Sequence, residues 1–297
     1  MRFSHLPLLL FILTCFTKGY SQSGATTPSL SISNDVETQG PANGTLLVIG
    51  GAASDIFYTK FMELVGGADA PIVVIPTAVS SDSLTAKDLE RFKNSFLEKG
   101  FTRVTVLHTR DRDVANSKAF VKPLKEAAGV WFSGGRQWRH ADSYLDTRTH
   151  REFFKLLERG GVIAGSSAGA TIQGSYLARG DTRKNTIMMG DHEEGLGFIT
   201  NVAIDQHLFA RNRQFDMFEI LENRPELLGI GLDEDTGIIV EGDQFTVFGN
   251  SYVAIYDGTR WSAERDTIYQ LPPGSRDFYL LSEGNSYDLL KRQIITE

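Results

Sequence analysis

The chain has 297 residues, 41% of them hydrophobic and 10% aromatic, which is enough for a large core and excludes intrinsic disorder for most of its length. Its 30 basic and 37 acidic residues give a net charge of −7, whereas nucleic acids and anionic membranes attract basic surfaces. We therefore expect small molecules, peptides or another copy of the chain as partners.

Residues 1–21 are predicted to be a signal peptide. Arg2 supplies positive charge, Leu6–Phe16 is an apolar run too short to span a bilayer, and Ser21 ends the small-residue pattern that a signal peptidase reads. Cleavage would remove Cys15, the only cysteine, so disulfides, thiol nucleophiles and thiolate metal sites are excluded. An exported protein is expected, whether periplasmic, secreted or at the cell surface; a retained or lipid-modified N-terminus is the alternative.

Residues 22–44 are predicted to be a flexible spacer, because Ser, Thr, Gly, Pro and Asn dominate them. Residues 45–297 are predicted to form one domain. Its first part alternates helical periodicity with five apolar runs, Leu46–Ile49, Ile72–Ile75, Val104–Leu107, Val130–Phe132 and Val162–Ala164. Runs that are apolar throughout are typical of strands buried on both faces. The pattern predicts an α/β fold with a doubly wound, mostly parallel sheet and active residues at the carboxyl ends of its strands.

The last third of the chain has the pattern of short strands joined by tight turns. These are Gly229–Leu232, Thr236–Val240, Phe245–Phe248 and Tyr252–Tyr256, with a hairpin connection at Gly242-Asp243-Gln244. We expect a C-terminal β-hairpin extension on the same core.

The segment Gly165-Ser166-Ser167-Ala168-Gly169 is a G-x-S-x-G motif that follows an apolar strand and precedes a helix-compatible segment. That context predicts a nucleophile elbow, in which small residues allow a sharp turn and the backbone N–H groups after the serine face a developing oxyanion. A turn that only connects the two elements, or that binds a phosphate at the helix N-terminus, is the alternative.

A serine nucleophile needs a base, and His207 has the most suggestive neighbours. It follows Asp205 and Gln206 and precedes Arg211 and Arg213, so a base would lie beside cations that suit an anionic substrate. A solvated helix face carrying weak ion pairs is the alternative. The other histidines outside the signal peptide are expected to be structural or exposed: His108, His140, His150 and His192.

Two other segments carry polar residues of possible functional use. Ser133-Gly134-Gly135-Arg136-Gln137 follows a predicted strand, and its paired glycines either bring backbone N–H groups close to a ligand or form an ordinary turn. Asp191-His192-Glu193-Glu194 has metal-binding side chains but not the spacing of a known metal site. No cofactor is expected, because the sequence contains no nucleotide-binding or flavin signature.

The order of these motifs resembles the cyanophycinase and dipeptidase E family of serine exopeptidases. The likeness extends over Thr45 to Asp257 and includes the segment Gly229-Ile-Gly-Leu-Asp-Glu-Asp-Thr236. It implies a fold like that of class I glutamine amidotransferases, with serine where those enzymes have cysteine, and a homodimer.

The resemblance also implies roles for individual residues. Ser167 would be the nucleophile, His207 its base, and the backbone N–H groups of Gly135 and Ala168 the oxyanion hole. The acid that orients the histidine is expected between the two, at Asp181, and the substitutes for it are Glu193 and Glu194. The substrate site would be lined by Gln137, Asp205, Gln206, Arg211 and Arg213.

In the cyanophycinase branch these residues bind an aspartyl residue whose side chain carries an arginine. The acidic residues bind the guanidinium of that arginine, and the arginines bind carboxylates. Two positions depart from that pattern: Asp216 stands where the branch has a third arginine, and Arg136 where it has Asp or Asn. The expected activity is hydrolysis of cyanophycin, multi-L-arginyl-poly-L-aspartate, to β-aspartyl-arginine. An aspartyl or isoaspartyl dipeptidase and an inactive peptide-binding surface protein are the alternatives, and an esterase fits the charged residues poorly.

Overall fold

The structure, a computed structural model, describes residues 37–79, 84–257, 261–264, 267–270 and 278–296, the segments 261–264 and 267–270 by their backbone alone. The predicted signal peptide and residues 22–36 of the predicted spacer lie outside the described residues. All described residues belong to one compact unit.

The strands are, in chain order, β1 Thr45–Ile49, β2 Ile72–Ile75, β3 Val104–Val106, β4 Gly129–Phe132, β5 Val162–Ser166, β6 Gly174–Tyr176, β7 Ile199–Gln206, β8 Leu228–Leu232, β9 Thr236–Glu241, β10 Gln244–Gly249, β11 Val253–Tyr256, β12 Trp261–Glu264, β13 Thr267–Gln270, β14 Tyr279–Leu281, β15 Ser286–Asp288 and β16 Gln293–Ile295. The helices are α1 Asp55–Leu64, α2 Ala86–Glu98, α3 Arg112–Ala115, α4 Lys122–Glu126, α5 Trp138–Tyr144, α6 Arg148–Glu158, α7 Ala168–Thr171 and α8 Met217–Asn223.

The five apolar runs form the parallel part of a nine-stranded sheet, in the order β3-β2-β4-β5-β1 with β3 at one edge. Alternate residues of β1, β2, β4 and β5 enter two separate cores, one shared with α1 and α2 and the other with α4, α5 and α6. Helices therefore cover both faces, which explains why these strands are apolar without alternation. The predicted α/β class with a doubly wound parallel region is confirmed. The nine-stranded sheet as a whole is mixed, because β9, β10, β15 and β16 add to it by antiparallel pairing. No helix in the described ranges is long and apolar enough to cross a bilayer.

The four strands expected in the last third of the chain, β8 to β11, divide between two sheets, a division that the sequence pattern does not predict; β12 and β13 pair with each other in a third, two-stranded sheet. The hairpin β9–β10 turns at Gly242-Asp243, where Gly242 has a φ of 58°, and β9 pairs antiparallel with β1, so this hairpin extends the main sheet. The strands β8 and β11 instead join a second sheet of order β14-β11-β8-β7-β6. Apolar pattern identifies such strands but does not say which sequence-distant strand each one pairs with.

The end of the predicted spacer packs on the domain. Thr38 is only 2% exposed and accepts a hydrogen bond from Arg292 Nη2 at 2.9 Å. The N–H groups of Gln39 and Gly40 donate to the side chains of Thr200 and Asp243. The folded region therefore starts before Thr45, because polar residues here are held by hydrogen bonds rather than by apolar burial.

Candidate active site

The motif Gly165–Gly169 forms a sharp turn between β5 and α7. Ser167 adopts φ 59° and ψ −114°, a backbone conformation that is strained for a residue with a side chain. Its N–H donates to the carbonyl oxygen of Ile49 at 2.9 Å, which ties the turn to β1. A Cβ atom on Gly165 would lie 2.1 Å from the carbonyl oxygen of Gly169, so the turn closes only with glycine there. The predicted elbow is present, with the serine at the carboxyl edge of the sheet.

The structure brings His207 against this serine. The distance from Ser167 Oγ to His207 Nε2 is 2.8 Å. His207 directly follows β7, and its N–H donates to the carbonyl oxygen of Gly50 at 2.9 Å. A Cβ atom on Gly51 would lie 2.3 Å from His207 Cε1, so the glycine after β1 leaves the space that the imidazole fills.

The acid that contacts His207 is Glu234, in the connection between β8 and β9. Its Oε1 lies 2.5 Å from His207 Nδ1. A proton on Nδ1 that is donated to Glu234 leaves Nε2 as the acceptor for the Ser167 hydroxyl. The three side chains therefore form one hydrogen-bonded chain from hydroxyl to carboxylate.

Asp181, the acid expected from the resemblance, does not contact His207, and that prediction is wrong. Its Oδ1 accepts from the N–H groups of Arg183 and Lys184 at 2.8 and 3.0 Å, and the Arg183 guanidinium pairs with its Oδ2. This hydrogen bond with Arg183 lowers the pKa of Asp181. Of the two substitutes, the Glu193 carboxylate pairs with Arg224, and Glu194 makes a backbone bridge.

A local signal for Glu234 is present in the sequence, although the serine and histidine motifs do not point to it. Asp233-Glu234-Asp235 stands directly after an apolar strand, at the carboxyl edge where active residues are expected. Asp233 Oδ1 accepts from the N–H groups of Phe209 and Ala210, and Asp235 Oδ1 accepts from Ser54 N–H. The two aspartates thus hold the loop by hydrogen bonds, and the Glu234 side chain between them contacts His207.

The environment of His207 keeps its imidazole neutral. Burial lowers the pKa of His207, the hydrogen bond with Glu234 opposes this, and the positive charges of Arg211 and Arg213 lower it further. The net pKa lies below the ordinary value for histidine. A neutral imidazole at neutral pH can accept the proton of the serine hydroxyl.

The glycine pair after β4 passes directly beside the serine. A Cβ atom on Gly134 would lie 3.2 Å from Ser167 Cβ. Gly135 has a φ of 143°, and a Cβ atom there would lie 2.0 Å from the carbonyl oxygen of Ala78. His140 Nε2 lies 3.2 Å from the carbonyl oxygen of Ser133, and burial lowers the pKa of His140 to about 4, so a neutral imidazole supports this loop.

Most residues expected to line the substrate site bond to the protein itself. Gln137 and Gln206 are 1% and 4% exposed; Gln137 Nε2 donates to the carbonyl oxygen of Ala178 at 2.8 Å. Arg213 is 7% exposed and its Nη1 donates to the Gln206 side chain at 3.1 Å. Arg211 is exposed. Residues around it form turns and Arg213 is buried, so the alternative of a solvated helix face does not hold.

Asp205 differs most from the expectation. It is 1% exposed, and Arg179 Nε and Nη2 donate to its two carboxylate oxygens at 2.7 and 2.9 Å. Both departures from the family pattern also contact this region. Asp216 Oδ2 accepts from Arg179 Nη2 at 2.5 Å, and Arg136 Nη2 donates to the carbonyl oxygen of Asp181. The Asp205 carboxylate, which was expected to bind a substrate arginine, is therefore bound by Arg179 of the chain itself.

The remaining histidines bond to neighbouring groups. His192 lies between Asp142 and Asp191, at 2.8 and 3.0 Å. His108 Nδ1 lies 3.0 Å from Thr77 Oγ1, and His150 Nε2 lies 2.9 Å from the carbonyl oxygen of Leu196. Within the described ranges no group of three or more His, Cys, Asp or Glu residues is arranged to hold a metal ion.

The chain is similar to peptidases of known sequence and structure. The sequence model of peptidase family S51 matches residues 46–248. A cyanophycinase from Geminocystis herdmanii is 32% identical over 226 residues, which cover 73% of this chain and 82% of that protein. A cyanophycinase from a Nostoc species is 29% identical over 281 residues, covering 88% and 91%. The solved structure of a peptidase from an acI-B1 actinobacterium, 26% identical, gives a TM-score of 0.62 and covers 84% of this chain and 98% of that one.

Proposed function

Because the chain belongs to peptidase family S51 and is a serine-type peptidase, we propose that it degrades cyanophycin to β-aspartyl-arginine dipeptides with Ser167 as its nucleophile. The observation that carries the proposal is the hydrogen-bonded chain from Ser167 through His207 to Glu234. The cyanophycinases among its relatives support the choice of substrate.

The proposed reaction is acyl transfer to serine followed by hydrolysis. Ser167 Oγ attacks the scissile carbonyl carbon while His207 Nε2 takes the hydroxyl proton, and the Glu234 carboxylate stabilises the imidazolium that forms. His207 then gives the proton to the leaving amine. A water molecule, deprotonated by the same histidine, attacks the acyl-enzyme and releases the acyl group and Ser167.

The oxyanion of each tetrahedral intermediate is assigned to the backbone N–H groups of Gly135 and Ala168. The glycine loop beside Ser167 and the start of α7 support this assignment, because N–H groups at such positions stabilise negative charge. We assign Arg211 to the substrate carboxylate, since its side chain is exposed and its charge acts on His207.

The test is incubation of purified protein with insoluble cyanophycin and mass spectrometry of the soluble products. Wild type is expected to release β-aspartyl-arginine, and Ser167→Ala to lose on the order of 10⁶-fold in rate. Ser166→Ala is the matched control, since it removes the neighbouring hydroxyl of the same turn and keeps its activity. Release of product by Ser167→Ala, or none by wild type, contradicts the proposal. Cleavage of short aspartyl peptides alone points to the dipeptidase alternative.

Export and a dimeric state are proposed as well. The apolar run Leu6–Phe16 supports export, and the match of the family model from residue 46 onward is compatible with a removable segment before it. N-terminal sequencing of protein from the extracytoplasmic fraction is expected to start at Gln22. Light scattering of that protein tests the homodimer, which the family resemblance supports.

A further inference from the structure

Arg179 is a buried cation next to the candidate active site, and it is bound by three residues of the chain. It is 2% exposed, and its guanidinium donates to both oxygens of Asp205, to Asp216 and to the carbonyl oxygen of Asn185. A guanidinium fork that matches a carboxylate in this bidentate way is how proteins bind arginine side chains of a ligand. Arg179 thus makes the contacts that a substrate guanidinium would make.

The position of this cluster connects it with the substrate site. Asp205 lies on β7, two residues before His207, and Arg213 Nη1 lies 4.0 Å from Asp205 Oδ1. Gln137 holds the carbonyl of Ala178, the residue before Arg179. The side chain of Asp216 is 40% exposed, so the cluster has one end at the surface.

A carboxylate whose two oxygens are engaged by one guanidinium has no geometry left for a second bidentate partner. Asp205 is therefore closed to a substrate arginine while Arg179 stays in place. Burial lowers the pKa of Arg179, but the hydrogen bonds and charges of Asp205 and Asp216 raise it more, so the guanidinium remains charged.

We propose that Arg179 is a specificity-determining residue whose guanidinium, held between Asp205 and Asp216, takes the place of a substrate guanidinium. The substrate class becomes aspartyl peptides recognised through their backbone and carboxylates, with or without arginine on the side chain. This inference rests on the proposed peptidase function and deepens it. Cyanophycin remains a substrate, but its arginine side arms do not contribute binding through Asp205.

The first arm of the test compares two ligands on the Ser167→Ala protein by calorimetry: β-aspartyl-arginine and β-aspartyl-norleucine, which lacks the guanidinium. A site that binds a ligand group through buried polar partners discriminates against an analogue without that group by a factor on the order of 10⁴. We expect the two affinities to differ by less than about tenfold. A preference for the arginine dipeptide of about tenfold or more overturns the proposal.

The second arm removes the internal guanidinium with Arg179→Met in the same background. The variant is expected to bind β-aspartyl-arginine at least about tenfold more tightly, with no gain for β-aspartyl-norleucine. Arg183→Met is the matched control, since Arg183 pairs with Asp181 and its side chain is 74% exposed; it gains nothing. A folded Arg179→Met protein without the gain overturns the proposal.

If Arg179→Met is unstable, its melting temperature is measured with each dipeptide added. Stabilisation by β-aspartyl-arginine alone supports the proposal, and equal or no stabilisation contradicts it. The outcome is independent of catalysis, because failure of wild type to cleave cyanophycin is a separate result that contradicts only the proposed function.

Discussion

Two polar clusters lie near the end of β7 and are built in opposite ways. At His207 the hydrogen-bonded chain ends on a serine hydroxyl at the turn, with an imidazole kept neutral by its surroundings. At Asp205 the carboxylate is buried and both oxygens are engaged by Arg179. Two neighbouring side chains at the end of one strand therefore differ in what they can do. His207 Nε2 is placed to accept the proton of the serine hydroxyl, whereas both oxygens of Asp205 are bonded to Arg179.

The largest effect is expected when Glu234, the acid that contacts His207, is changed. Glu234→Gln keeps the size of the side chain but removes the charge that stabilises the imidazolium, so kcat is expected to fall on the order of 10⁴-fold. Asp181→Asn is the matched control and is expected to lose less than about tenfold, because Asp181 contacts Arg183 rather than His207. Steady-state kinetics on a soluble aspartyl peptide measures both. A larger loss for Asp181→Asn than for Glu234→Gln would show that the assignment of the acid is wrong.

The next largest effect is expected when the Asp205–Arg179 pair is broken, and it is a loss of stability. Asp205→Asn leaves the Arg179 guanidinium buried with half its carboxylate partners, at a cost of about 3–5 kcal/mol in free energy of unfolding. Urea unfolding measures it. The double variant Asp205→Asn/Arg179→Met removes both charges and is expected to recover much of the loss. A double variant no more stable than the single one contradicts the pairing.

A smaller effect on rate is expected from a steric change next to His207. Gly51→Ala places a methyl group 2.3 Å from His207 Cε1 and displaces the imidazole, so kcat is expected to fall about 10²-fold. Gly67→Ala is the control, because Gly67 also has a positive φ but a Cβ atom there meets nothing within 4 Å. Its backbone strain affects stability without affecting the site. Equal losses of activity in the two variants would mean that strain, not contact with His207, is responsible.

The smallest effect is on the pH profile. In the proposed mechanism the base is neutral His207, so kcat/KM is expected to fall as the pH drops through a midpoint below the ordinary histidine value. Arg211→Gln removes a charge that lowers the pKa of His207, so the midpoint of the variant is expected to move upward. A midpoint that stays or moves downward contradicts the electrostatic role of Arg211.

Local pattern was enough to predict the parallel strands of the main sheet, since strands buried on both faces are apolar throughout. It was also enough to place the serine turn, because only small residues fit around Ser167. It did not divide β8 and β9 between two sheets, since pairing depends on strands distant in sequence.

The partners within the site were harder to predict for the same reason. Glu234 meets His207 only because two loops converge, and Arg179 reaches Asp205 across 26 residues of chain. Residue type showed that acids and arginines were present. It did not show which carboxylate orients the histidine and which is neutralised.

The hydrogen-bonded chain spans the junction of the two sheets. Ser167 follows β5 of the main sheet, and His207 follows β7 of the second. The N–H of His207 is bonded to Gly50, just beyond β1, so the contact between these sheets sets the distance between hydroxyl and imidazole. Loosening that contact would separate Ser167 from His207 while the hydrogen bonds between the strands of each sheet remained. Loss of activity in mild denaturant should then precede loss of circular dichroism, which makes hydrolysis a sensitive gauge of how the two halves of the domain dock.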